Sequence, residues 1–510
     1  MAKPHHLLLA QSLSRAKEIA ETNVIRVRDL PRIDRERLEA DGWLTRIIRG
    51  WYLLRQPIAK EGESTQWYSS FWDFITIYLN SRFGKNYCLS ASASIDLYVG
   101  CTIIPKQLLV MVKAGGSSVV PLRFDTSIII YQEKKTFPKV IEQVNNISVM
   151  PLPVALYRIS PKFFQQQPND AEIALRLVDL TALSRQLLTG TNIASANRII
   201  GAYYFLGEKQ RAKHLENDLT AAGYQIEPIN PFIIKEPLLA DFPRIRSPYA
   251  PRIAIMWKQM REIVLSIFPE EPGMSTQTKN YFIQLEKIYV HDAYNSLSIE
   301  GYEVSESLIA QIASGKWNPD QSLSDRNQIN AMAAKGYRQT FEAVKRSIDR
   351  IFHKEKSGKV IKEDLHSWYS ALFSPSVKAG ILKPEQLAGY RIHQVYIKGS
   401  MHTPLPVSAL VDAMDTLFDC LINEPCAAVR AVLGHFIFVF IHPYMDGNGR
   451  IGRFIMNSLF ASGGFPWTVV TVNHRENYMK ALEIASVEQN IKPFAKFILS
   501  EMQLGNKKMA

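Results

Sequence analysis

The residues best equipped for chemistry lie in one stretch, His442-Pro-Tyr-Met-Asp-Gly-Asn-Gly-Arg-Ile-Gly-Arg453. His442 is the one group in it that exchanges a proton near neutral pH. Asp446 presents hard oxygen ligands to a magnesium ion that bridges phosphates. Arg450 and Arg453 are three apart, so on a helix they share a face and can both reach phosphate oxygens. Asn448 adds a neutral donor, and Gly447 and Gly449 allow a tight turn with close backbone approach to a ligand. A base, a carboxylate, an anion nest and two guanidiniums point to phosphoryl or nucleotidyl transfer. Neither Ser nor Cys occurs in the stretch, so an acyl-enzyme hydrolysis is not indicated.

Two helices must hold these groups. In the apolar run Ala427 to Ile441, residues Val429, Val432, Leu433, Phe436, Ile437 and Phe440 recur at helical spacing, which predicts a buried helix ending at His442. Pro443 prevents it from continuing. A second helical pattern opens at Arg450 and runs through Phe454, Asn457, Leu459 and Phe460. The loop between them leads into a helix N-terminus, where free N–H groups and the helix dipole favour a phosphate.

The stretch resembles the Fic (Fido) signature, His-x-Phe-x-Asp/Glu-Gly-Asn-Gly-Arg-x-x-Arg, with Tyr444 in place of the aromatic Phe. The resemblance implies a mainly α-helical Fido fold and transfer of AMP from ATP to a protein hydroxyl. It implies His442 as base, and Gly447, Asn448, Gly449, Arg450 and Arg453 as the nucleotide cradle. Asp446 would be the Mg2+ ligand, so that His442, Asp446, Asn448, Arg450 and Arg453 form the catalytic set. Ser296-Leu-Ser-Ile-Glu300-Gly301 is similar to the family's inhibitory motif, which implies that Glu300 pairs with Arg453 and that Ser296 helps orient the carboxylate. Gln394 to His402, in which Ile397, Gly399 and Ser400 surround a turn, is similar to the family's flap and predicts a β-hairpin. Tyr478, after Asn473-His-Arg-Glu-Asn, suits the nucleotide side of the site.

The chain of 510 residues exceeds what one core supports and implies several domains. Its composition, 46% hydrophobic and 21% charged, is ordinary for a globular protein. Four cysteines show no paired-ligand spacing and read as reduced thiols, and no apolar run reaches transmembrane length. With no signal-peptide pattern at the start, a cytoplasmic protein is expected.

The expected fold class is multidomain α+β, divided as 1–58, 59–245, 253–350 and 356–503. Residues 1–58 read as helices followed by two strands turning at Gly50, an order that resembles the winged helix-turn-helix of AbiEi-type antitoxins. Through Arg55 there are 11 Lys+Arg against 7 Asp+Glu, and Arg35, Arg37, Arg46 and Arg49 suit phosphate contacts with double-stranded DNA. Residues 59–245 alternate strands and helices and resemble the body of the same family. Val27 to Leu30 read as extended, Ala171–Leu188 and Ala194–Leu219 as single helices, Ser90 to Ser94 as a structural turn. Prolines at 228, 231, 237, 243, 248 and 251 mark a connector. Leu504 to Ala510 read as a disordered polar tail.

The reading is therefore an autoinhibited AMP transferase using ATP and Mg2+, with a protein hydroxyl as acceptor and DNA and a homodimer as further partners. Removal of AMP from a target uses the same residues and stays open. So does a DNA-binding antitoxin or regulator whose Fido domain only senses nucleotide.

Overall fold

The computed structural model describes residues 4–57, 64–190, 192–234, 236–239, 247–274, 278–317 and 325–509. The domain limits expected at 58/59 and 245, and Pro243 in the connector, lie outside them. The chain divides into two compact units, 1–251 with 396–403, and 252–395 with 404–510. The division after residue 251 falls at the end of the proline-marked connector.

The first unit opens with α1 (His5–Ile19), β1 (Val24–Arg26), a 3-10 turn at Val27–Asp29, α2 (Arg32–Ala40), β2 (Leu44–Ile48) and β3 (Trp51–Leu54). The strands form an antiparallel sheet in the order β1-β3-β2. Val27 to Leu30 is thus mostly a turn, and the extended piece lies just before it. One set of buried residues, Ala16, Ile25, Leu30, Leu38, Leu44, Tyr52 and Leu54, joins this sheet to the two helices. Alternate residues Val24, Ile47 and Leu53 belong instead to a second core with Trp67, Phe71 and Phe74. Period-two alternation thereby buries both faces of the sheet.

That second core is built by α3 (Thr65–Phe83), β4 (Tyr87–Leu89), α4 (Ala91–Tyr98), β5 (Gln107–Val112), β6 (Ser118–Pro121) and β7 (Ser127–Gln132). The sheet order is β4-β5-β7-β6, with β5 and β7 parallel. The turn expected at Ser90 to Ser94 is instead the first turn of α4, which Ser90 caps by accepting from the Ala93 amide at 3.3 Å. β8 (Glu142–Val144) and β9 (Ile147–Val149) form a separate hairpin. Six helices follow: α5 (Leu152–Arg158), α6 (Pro161–Gln166), α7 (Pro168–Leu177), α8 (Leu180–Thr189), α9 (Ile193–Phe205) and α10 (Lys209–Ala221). Each of the two long helices expected here is broken. Asp179 caps α8 through the Ala182 amide at 2.8 Å, and Gly207, at φ 77°, closes the chain after α9.

Residues 396–403 also belong to this unit and correct the expectation of a hairpin. A turn is present, with the Ser400 amide donating to the Ile397 carbonyl at 3.1 Å, but Val395 to Ile397 do not pair with the residues that follow. His402 instead bridges antiparallel to Ile103, and the Thr403 amide donates to the Thr102 carbonyl at 2.7 Å. A backbone already satisfied by another segment has no donors left for its own hairpin.

The second unit is helical: α11 (Tyr249–Ile267, whose first residues precede the division), α12 (Thr278–Ile299), α13 (Glu306–Ala313), α14 (Asp325–Phe352), α15 (Ser357–Lys378), α16 (Leu410–Asn423), α17 (Ala427–Ile441), α18 (Asn448–Ala461), α19 (Arg475–Val487) and α20 (Lys492–Met509). α17 is buried almost all round, and of its residues Val429, Val432, Leu433, Phe436 and Ile437 have no exposure. A helix apolar on every face belongs in the middle of a core. α20 continues to Met509, so the expected disordered tail is corrected: once Ile498 and Met502 anchor it, extension needs no new nucleus.

Candidate active site

All groups of the site lie in the second unit. α17 ends at Ile441, and His442 follows with φ 55° and ψ 58°. A left-handed non-glycine residue costs about 1–2 kcal/mol, so the surrounding contacts must hold it. The His442 amide donates to the Phe438 carbonyl at 2.9 Å, and Nδ1 lies 3.1 Å from the Val439 carbonyl. A carbonyl only accepts, so Nδ1 carries the proton and Nε2 keeps its lone pair. Burial lowers the pKa of the half-buried imidazole. The Arg391 charge acts the same way, against the Val439 carbonyl, Glu300 and Asp446. His442 is thereby a neutral base at pH 7.

The loop that follows is tied to itself. Tyr444 is 1% exposed and stacks on Tyr369 at 3.9 Å between centroids and 7° between planes. The Asn448 side chain accepts from the Tyr444 amide at 3.0 Å and donates to its carbonyl at 2.8 Å. Asn448 thus staples the loop, a job its sequence position as a ligand donor did not suggest. Gly447 has φ 81°, and a Cβ there would meet the Phe373 ring at 2.8 Å, so only glycine fits. Asp446 Oδ1 accepts from the Gly447 amide at 2.6 Å, and Oδ2 accepts from Arg450 at 3.0 Å. The Asp446 side chain is 62% exposed and has lone pairs to spare.

α18 begins at Asn448, so the amides of Asn448, Gly449 and Arg450 have no intrahelical acceptor. Arg450 is 1% exposed, with its guanidinium 5.0 Å from the Tyr302 ring and 5.1 Å from the Phe373 ring. Burial works against its charge, but Asp446, Tyr302 and Glu300 together raise its pKa.

Glu300 occupies the mouth of this nest. Arg453 Nη2 donates to Glu300 Oε1 at 2.7 Å, and the position a Cβ would take on Gly449 collides with that same oxygen. The carboxylate therefore lies against the helix N-terminus, where an anion is favoured. Ser296 was expected to steady Glu300. Its hydroxyl instead accepts from Arg453 Nε at 2.9 Å, and its carbonyl accepts from Nη2 at 3.0 Å. The reason is that α12 stops at Ile299: Gly301, at φ 90°, ends the helix and places Glu300 in the turn beyond it, while Ser296 still faces the core. Arg453 is buried. Burial opposes its charge, and Glu300 together with Tyr478 and Tyr337 more than offsets this, so its pKa is raised.

Tyr478 is 2% exposed and its hydroxyl lies 2.8 Å from His435 Nε2. Burial pushes its pKa up to about 12, and its place is in the core beneath Arg453. Ile397, Gly399 and Ser400 fall in the other unit by their contacts, with the Gly399 amide donating to Thr65 Oγ1 at 2.7 Å. Three residues escaped the sequence reading. Asn295 accepts from the Val472 amide and Arg475 donates to the Ile299 carbonyl, both at 2.8 Å, fixing the end of α12 that carries Glu300. Arg391 binds the His442 carbonyl at 2.8 Å. An arginine after the apolar Leu387-Ala-Gly-Tyr was the only local sign of the last.

Among the described residues no group of three His, Cys, Asp or Glu could hold a metal, so an ion here would rest on Asp446 and on substrate oxygens.

Residues 360–460, which contain this helix–loop–helix with its histidine, glycines and paired arginines, match the Fic/DOC family. Among curated relatives, the protein adenylyltransferase Fic of Nematostella vectensis is 26% identical over 219 residues, 42% of this chain and 47% of that protein. That of Drosophila willistoni is 34% identical over 123 residues, 23% of this chain and 24% of that protein. The chain thus spans less than half the length of these relatives. The solved structure of C. elegans Fic-1 (residues 134–508) aligns at 17% identity with a TM-score of 0.37, covering 66% of this chain and 91% of that one. No helix among the described residues is long and apolar enough to cross a membrane.

Proposed function

We propose that this chain transfers AMP from ATP to a hydroxyl side chain of a target protein and that Glu300 holds the reaction in check. The observation that carries this is the convergence of a neutral His442, its Nε2 free, with the Gly447–Gly449 helix N-terminus and Arg453. In the reaction, Nε2 takes the proton of the target hydroxyl. The oxygen attacks the α-phosphorus, the bond from that phosphorus to the bridging oxygen breaks, and pyrophosphate leaves. The amides of Asn448 and Gly449 stabilise charge on the α-phosphate, while Arg450 and Arg453 neutralise the β- and γ-phosphates. Asp446 is the residue suited to hold Mg2+, which when bound screens the phosphate charge. Asn448 and Tyr478 support this machinery from behind, through the loop and through His435.

The relatives' names support the same reaction class. The test is label transfer from [α-32P]ATP to a lysate by the full chain, with and without His442→Ala. Loss of transfer with nucleotide affinity kept supports the base assignment, and equal loss of both refutes it. Removal of AMP is a second reading, favoured by the 29% exposure of the Glu300 side chain, which lets a water reach it.

The order of elements in 5–54, with the strand order β1-β3-β2, supports a winged helix, and DNA binding through it. Arg37 leaves the expected phosphate-contact set: it donates to Ser12 Oγ at 2.7 Å and lies 3.6 Å from Asp34. Arg35, Arg46 and Arg49 remain. A cytoplasmic location and a homodimer belong to the same proposal.

A further inference from the structure

We infer that Arg391 is a positioning residue for the His442 base, its guanidinium holding the chain turn that aims the imidazole. The inference rests on the transferase reading above. Arg391 lies outside the helices and is 2% exposed. Its three nitrogens donate in three directions: Nε to the His442 carbonyl at 2.8 Å, Nη1 to the His393 carbonyl at 3.0 Å, and Nη2 to the Leu405 carbonyl. Its own amide donates to the Pro443 carbonyl at 2.8 Å. Two of the four bonds therefore grip the His442–Pro443 peptide unit and the one that follows it, and the other two anchor the fork at His393 and Leu405.

That junction is where the site needs help. His442 is left-handed, so its carbonyl points away from the axis of α17 and is lost to the helix. Pro443 has no amide to offer in exchange. Without Arg391 the part-buried carbonyl would lose this donor, and a rotation of this peptide unit would swing the imidazole. Only a planar fork with diverging N–H groups serves three carbonyls at once; an ammonium is a point charge with three clustered donors. Among the described residues no carboxylate forms an ion pair with Arg391, and burial pushes its pKa down to about 10. A charge kept in the interior with only carbonyl partners is poor value for stability alone.

The test uses the full chain with Glu300→Gly, comparing Arg391→Lys and Arg391→Gln. Two quantities are read: kcat and KM(ATP) for AMP transfer, and the imidazole 1H–13C cross-peaks of His442 and His435. His442→Ala assigns the first peak. His435 lies within α17, the helix that ends just before His442, is fully buried, and reports on the fold. The expected result is a fall in kcat of at least about tenfold with KM(ATP) within about twofold. The His442 peak should shift or broaden in both variants while that of His435 stays. Unchanged kcat and an unmoved His442 peak overturn the inference, and so does a His435 peak displaced as far as that of His442 in both variants. The peaks need no turnover. A parent without transfer activity thus refutes the transferase reading while the His442 peak still decides the role of Arg391.

Discussion

Glu300→Gly is the perturbation that reaches furthest into the site. One oxygen of Glu300 takes a 2.7 Å charge-assisted bond from Arg453 and lies against Gly449, the place the proposed reaction gives to a phosphate oxygen. A bond of this kind contributes about 1.5–3 kcal/mol, and the Glu300 side chain, 29% exposed, places it toward the lower end. Converted at about 1.4 kcal/mol per factor of ten, its removal changes nucleotide seating about tenfold or more. The substitution should not scramble the arginine, since Ser296 keeps two bonds to it, at 2.9 and 3.0 Å. It does leave the buried Arg453 charge without its counter-ion, so the chain free of nucleotide should melt lower while ATP stabilises it more. The assay is incorporation of label from ATP into the chain itself, for wild type, Glu300→Gly, Arg453→Ala and the double variant. Glu300→Gly should raise incorporation at least about tenfold, and the double variant should match Arg453→Ala alone. No increase at saturating ATP and magnesium would refute the inhibitory assignment.

Three further outcomes follow from the geometry. Gly449→Ala drives a methyl into the Glu300 carboxylate and should cost about 1–3 kcal/mol in a thermal melt, most of it restored by adding Glu300→Gly; additive losses would refute the contact. Burial pushes His435 down to about 3, so the unfolded chain binds the extra proton between that value and the ordinary histidine range. Stability should therefore fall by about 1.4 kcal/mol per pH unit as pH drops below about 6.5, and urea titrations of His435→Asn should show a shallower slope in that window. Replacing Arg35, Arg46 and Arg49 by Ala should weaken duplex DNA binding and flatten its salt dependence, whereas Arg37→Ala should chiefly lower stability, because Arg37 bonds inward to Ser12; equal effects on DNA from both would sink the division.

What could be read from the chain alone was whatever is local and periodic. The apolar spacing of Val429 to Phe440 demanded a buried helix, and Pro443 with Gly447 demanded that it end in a turn, because these follow from backbone sterics and a 3.6-residue repeat. The types of His442, Asp446, Arg450 and Arg453 pointed to the proposed chemistry, because proton exchange and phosphate binding are properties of the side chains themselves. Helix breaks at Asp179 and Gly207 were readable in principle but were overridden by an unbroken apolar period.

Tertiary structure decided which partner each polar group takes. Ser296 and Glu300 are one helical turn apart in sequence, yet the place where α12 stops sends the hydroxyl to Arg453 Nε and the carboxylate to Nη2. Residues 395–402 alternate as a hairpin would, but segment 102–104 takes the hydrogen bonds of 401–403 first. Arg391 and the His442 carbonyl it holds are 51 positions apart. A hydrogen bond depends on where donors and acceptors come to lie in space, and no local pattern encodes that.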